Sequence, residues 1–104
     1  MDPARVDFDS IEWVQMLPGA RHKVVERGGK RLRLVEFASA FVEHDWCMKG
    51  HTGRVIEGDL ELEFEDRTVR FNAGDGLMIR GGGVDKHKAK VLGSGVRMLF
   101  VEDV

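Results

Sequence analysis

The chain has 104 residues, of which 42% are hydrophobic and 33% charged, with a formal net charge of −2. That length supports one hydrophobic core and not two, and the composition is that of a folded globular domain, not of a disordered segment. Because the 16 basic and 18 acidic residues are intermixed, no basic stripe marks the chain as a nucleic-acid binder.

The opening MDPARVDFDS carries acids and no apolar run, unlike a signal peptide. No later segment approaches the roughly 20 apolar residues that cross a bilayer. A lone cysteine, Cys47, excludes an internal disulfide. The expectation is a cytoplasmic protein with neither nucleic acid nor membrane as partner. Residues 1–20 form an N-terminal arm and first strand of a single domain covering 1–104. Ile11 to Leu17 reads as a strand or a short helical turn, and Pro18-Gly19 ends it in either case.

Arg21-His22-Lys23 is a basic stretch in which His22 reads as a surface residue. Arg31 to Phe37 alternates as a strand, and Phe41 to Trp46 is a further strand. By period two the even positions Val42, His44, Trp46 and Met48 are the more apolar set, so His44 and Trp46 are expected to point inward. A bulge would reverse the parity and turn Cys47 in instead. His51 opens the next strand, and the missing side chain at Gly53 leaves room beside it.

Asp59 to Phe71 is the clearest pattern. Leu60, Leu62 and Phe64 alternate with acids, the chain turns near Glu65-Asp66-Arg67, and Val69 and Phe71 alternate with Thr68 and Arg70. In a hairpin Glu61 and Glu63 then face Arg70 and Thr68 or Arg67, which fixes the register. Asn72 to Gly76 is a turn, Leu77-Met78-Ile79 a short buried strand, and Gly81-Gly82-Gly83 a break. That glycine run lacks the strand–GxxxxGK–helix setting of a phosphate cradle. From Asp85 to Val91, Lys86, Lys88 and Lys90 face water while His87, Ala89 and Val91 face inward. Val96 to Val101 is the final strand. At least seven short strands with hairpin connections predict an all-β sandwich or jelly-roll barrel.

Three histidines and the cysteine thus fall on or beside the walls of a small barrel. One reading is that His44, His51 and His87 converge on one divalent metal, with Cys47 or Asp45 as a further ligand and Trp46 shaping the pocket. Imidazole suits zinc, copper, iron and nickel, and thiolate favours the softer ions. The plainer reading is that each imidazole is satisfied by backbone hydrogen bonds and that Cys47 is a small buried hydrophobe. Trp13 and Trp46 are core aromatics or pocket walls. No serine sits in a nucleophile elbow.

The stretch from His44 to Val91 resembles the two motifs of the cupin superfamily. Arg54-Val55-Ile56-Glu57-Gly58 with Asp59-Leu60-Glu61-Leu62 is similar to the hairpin entry that closes the first motif. Phe71-Asn72-Ala73-Gly74-Asp75-Gly76-Leu77-Met78-Ile79 is similar to the opening of the second. His51 precedes Gly58 by seven residues and takes the place of the family glutamate. Under the longer spacing the two family histidines fall on His44 and Trp46; under the shorter they fall on Asp45 and Cys47. His87 matches the second-motif histidine.

The resemblance implies a small single-domain cupin, a double-stranded β-helix that pairs as a homodimer through edge strands. It also implies a divalent transition metal (zinc, iron, nickel, copper or manganese) and a small polar ligand, such as a sugar derivative or organic acid, in the barrel. Isomerase, lyase or oxygenase chemistry would follow from such an ion. The alternative is a non-catalytic ligand-binding or sensing barrel that has lost the metal.

Overall fold

A computed structural model describes residues 2–104. The strands are β1 (Val14–Leu17), β2 (Ala20–Arg27), β3 (Lys30–Ala38), β4 (His51–Phe64), β5 (Thr68–Phe71), β6 (Gly76–Ile79) and β7 (His87–Asp103). Every pairing is antiparallel, in the order β1-β2-β3-β7-β4-β5, with β6 also paired to β4. The chain is an all-β jelly-roll barrel.

Two long strands organise it. β7 pairs with β4 along both of its halves, but only its second half, from Gly95 onward, also pairs with β3. β4 does the same on its outer edge: its first residues pair with β6 and its last with β5. Each long strand therefore serves both walls and must bend between them. β4 bends at register shifts around Glu57 and Gly58, and β7 bends where Gly93 and Gly95 adopt positive φ. At the crossing the backbones nearly touch, since a Cβ on Gly58 would lie 2.0 Å from the Gly95 carbonyl oxygen. Only glycine fits there, both for space and for φ of +84°.

The hairpin β4–β5 has the predicted register, with Glu61 opposite Arg70 and Leu62 opposite Val69. Its ion pair differs, because Arg70 reaches Asp59 at 3.4 Å. Leu60, Leu62 and Phe64 from β4 meet Ala89, Val91, Met98 and Phe100 from β7 in the core.

Several expectations need correction. The strand that His51 opens and the one that starts the Asp59 hairpin are a single strand, as are the segments read as Asp85–Val91 and Val96–Val101; each break is a bend within one long strand. β2 was hidden by its charge density, Ala-Arg-His-Lys-Val-Val-Glu-Arg. Met78, expected to be buried with Leu77 and Ile79, is 88% exposed because β6 has one dry face. Residues 41–48 form no strand. Their backbone pairs with β7 in single bridges, Val42 with Lys90 and Cys47 with His87, and the predicted parity is reversed. Phe41 is buried, whereas Val42, His44 and Met48 are exposed.

Candidate metal centre

A cavity of about 610 Å³ opens inside the barrel. Cys47, His51 and His87 line it, and one donor atom from each lies within 4.8 Å of the others. The local backbone explains the convergence. Cys47 and His87 exchange both main-chain hydrogen bonds, at 2.8 and 3.0 Å. Such a pair in an antiparallel bridge puts both side chains on the same face. β4 begins at His51, four residues after Cys47, and its ring meets the His87 ring edge-on with centroids 5.5 Å apart. Phe100 stacks on the other side of His51 at 4.7 Å.

Both rings present their Nε2 side. His87 Nδ1 donates to the Asp85 carbonyl oxygen at 3.0 Å, leaving Nε2 for the cavity. His51 Nε2 lies 4.0 Å from Cys47 Sγ, and its Nδ1 is buried without a hydrogen-bond partner among the described residues. The loop before His87 is clasped by Asp85, which accepts from the Arg80 backbone N–H at 2.9 Å and from its guanidinium at 2.9 and 3.1 Å. Those bonds hold the Asp85 carboxyl down at about 2. The triple glycine lies in that clasped loop, where the Gly82 N–H donates to the Met48 carbonyl oxygen at 2.8 Å.

The cluster is electrically coupled. Hydrogen bonding from His51 and His87 draws the Cys47 thiol down to about 5, so it is a thiolate at neutral pH. Burial alone would lower His87, but the Cys47 thiolate, the Asp85 carbonyl and Glu43 together raise it. Glu43 lines the same cavity and accepts from the Ala89 backbone N–H at 2.9 Å; burial raises its carboxyl.

At the mouth, Arg33 donates from Nε and its terminal nitrogen to the two carboxylate oxygens of Glu102, at 2.8 and 2.9 Å. It also donates to His22 Nδ1 at 3.1 Å. Arg31, Glu26 and Lys49 complete the polar rim.

The structure brings together two of the three expected histidines. His44 is exposed and stands outside the cluster, and Cys47 occupies the third place. Asp45 is also exposed. Trp46 does not shape the pocket; it lies on the outer side beneath the ammonium groups of Lys86 and Lys88, 5.0 and 4.6 Å from its ring. The room expected beside Gly53 is taken by β7, because a Cβ there would meet the Leu99 carbonyl oxygen at 1.9 Å. His22 is not a plain surface residue but a half-buried wall of the cavity, lowered by burial and by Arg33. Sequence reasoning missed Glu43 and Glu102. The second had a signal: Val96, Met98 and Phe100 continue by period two onto Glu102, a carboxylate at an inward position.

The donor set fits a transition metal. The Cys47 thiolate and one imidazole nitrogen from each of His51 and His87, the His87 ring fixed from behind by a carbonyl, make a soft three-ligand arrangement with space beside it.

This fold is that of the cupins. The chain aligns with KdgF from Halomonas sp. at a TM-score of 0.71 and 22% identity, over 86% of this chain and 83% of that one. It aligns with the cupin domain of Cnp3 from Schizosaccharomyces pombe at 0.76 and 12% identity, over 94% and 72%. A sugar phosphate isomerase of the cupin superfamily from Silicibacter pomeroyi aligns at 0.75 and 17% identity, over 96% and 75%. No protein-family model and no curated protein matches the sequence.

Proposed function

We propose that the barrel holds a divalent transition metal on Cys47, His51 and His87 and binds a small polar molecule beside it. The observation that carries this reading is the set of three nitrogen and sulfur donors within 4.8 Å in a cavity large enough for a ligand. The thiolate favours zinc, copper or iron over manganese. Bound there, the ion would polarise an oxygen of the ligand. Glu43, with its carboxyl raised by burial, is placed to give or take a proton within the cavity. Lys49 at the rim, where Arg31 is already paired with Glu26 at 2.8 Å, favours a ligand with an anionic group, such as a sugar derivative or organic acid. The likeness to a sugar phosphate isomerase supports the same ligand class. Isomerase or lyase chemistry is the reading that follows.

Elemental analysis of protein purified without a metal-affinity tag tests the centre. A near-stoichiometric ion is expected, lost in Cys47→Ala, His51→Ala and His87→Ala alike. A thermal-shift panel of sugar phosphates and organic acids then tests the ligand class, since binding raises Tm by mass action.

One observation favours the metal-free alternative of a ligand-binding barrel: Cys47 Sγ and His51 Nε2 are close enough to satisfy one another. A metal-free preparation that takes up no zinc, yet is stabilised by a sugar phosphate, would decide for it. We also propose a homodimer. β1 ends the sheet and exposes Val14 and Leu17, 55% and 52% exposed, and sedimentation analysis would show a mass twice that of the chain.

A further inference from the structure

β7 carries two groups that face His51 from different directions. Phe100 stacks on the ring and fixes its plane, while Glu102, two residues on, brings Oε2 to 3.8 Å from Nδ1. That separation is within ion-pair range and slightly beyond a hydrogen bond, so a small ring rotation closes it. Nδ1 is otherwise without a partner among the described residues. The carboxylate is not free to turn away. Arg33 grips both of its oxygens, and the two side chains are only 12% and 17% exposed. Arg33 is itself held by His22.

We infer that Glu102, locked by Arg33, is a positioning residue that keeps a proton on His51 Nδ1, so that Nε2, which hydrogen-bonds Cys47 in the metal-free protein, is the nitrogen that gives up its proton for an ion at the point where Cys47 and His87 converge. A carboxylate can only accept, so the ring nitrogen facing it must be the donor. His87 is set the same way by the Asp85 carbonyl. Two acceptors on two different strand ends therefore turn both rings to present the same nitrogen. Carboxylate–imidazole pairs behind a ligating nitrogen fix its orientation and raise its basicity. The purpose of the device rests on the metal centre proposed above, but its proton placement does not.

The test uses metal-stripped, 15N-labelled protein and long-range proton–nitrogen correlation spectra of the imidazoles. Cys47 approaches Nε2 and offers nothing to Nδ1, so the state of Nδ1 reports Glu102. Wild-type His51 Nδ1 is expected to show the shift of a proton-bearing nitrogen. Glu102→Gln keeps the shape but places an amide N–H donor toward the ring, and Nδ1 is expected to change to an acceptor. Zinc affinity, read by chelator competition, should fall about 10- to 100-fold. Should the single change not fold, the joint replacement Glu102→Leu with Arg33→Met removes both charges together, which cores often tolerate, and Nδ1 should again lose its proton. An unprotonated Nδ1 in the wild type, or one unaffected by either variant, overturns the inference. The expected Nδ1 behaviour in a protein that binds no metal would uphold it while overturning the metal centre.

Discussion

His51 lies flat against Phe100, the ring planes 19° apart and the centroids 4.7 Å apart. One aromatic side chain thus serves the core and the candidate ligand at once. Phe100 is 5% exposed. Phe100→Ala is expected to cost about 3–5 kcal/mol, from lost burial and the cavity left behind. Urea denaturation measures this, and zinc affinity should fall as well because the His51 ring loses its backing. Phe100→Leu should keep most of the stability and lose only the ring contact.

The two histidines that sequence spacing treats alike should separate cleanly. His44→Ala is expected to change stability by no more than about 0.5 kcal/mol, as befits an exposed residue, and to leave metal content intact. His51→Ala should abolish stoichiometric metal. Elemental analysis of both variants beside the wild type reads the difference directly.

Cys47 gives a pH signature. Its thiol sits near 5, depressed by His51 and His87, against an ordinary value of about 8.5 for an unfolded chain. Iodoacetamide should therefore modify metal-free protein with a rate that rises through about pH 5 and is flat by neutrality, and zinc should suppress it. Because the folded value is the lower one, the stabilisation is complete above the unfolded value and is lost as pH falls through about 5. His87 is shifted the other way, upward, so its contribution is full in acid and is lost as pH rises through its folded value. The pair is thus strongest between the two limbs. Tm measured across that range should show an acid limb near pH 5 that Cys47→Ala removes.

Glycines divide by what surrounds them. Gly53→Ala would drive a methyl to within 1.9 Å of the Leu99 carbonyl oxygen, and Gly58→Ala to within 2.0 Å of that of Gly95. Either should cost more than about 3 kcal/mol, at the upper end of single substitutions. Gly83→Ala has open space and no positive φ, and should be near neutral. Thermal melts of the three variants test the contrast.

The β4–β5 hairpin was legible because its alternation is unbroken and one face is dry, so a slip of one residue would have exposed every leucine. The fold followed from that hairpin and the turns around it. The site was half legible. His51 and His87 lie on strands whose parity is plain, but the segment from Phe41 to Met48 has none to read. Its even positions are more apolar because Trp46 finds cover outside, under the ammonium groups of Lys86 and Lys88 in cation–π contact. Its odd position Glu43 points inward because the Ala89 N–H satisfies it. Neither compensation belongs to the segment's own sequence; both come from residues 86–89, at the start of β7 and just before it.

The bend shared by Gly58 and Gly95 bears on how such a container changes size. Both walls hang from the same two ribbons, so altering the angle or length of this corner would widen or narrow the interior without replacing a single lining side chain. A family built on this plan can accommodate bulkier or slighter guests by editing a few residues remote from where the guest is held.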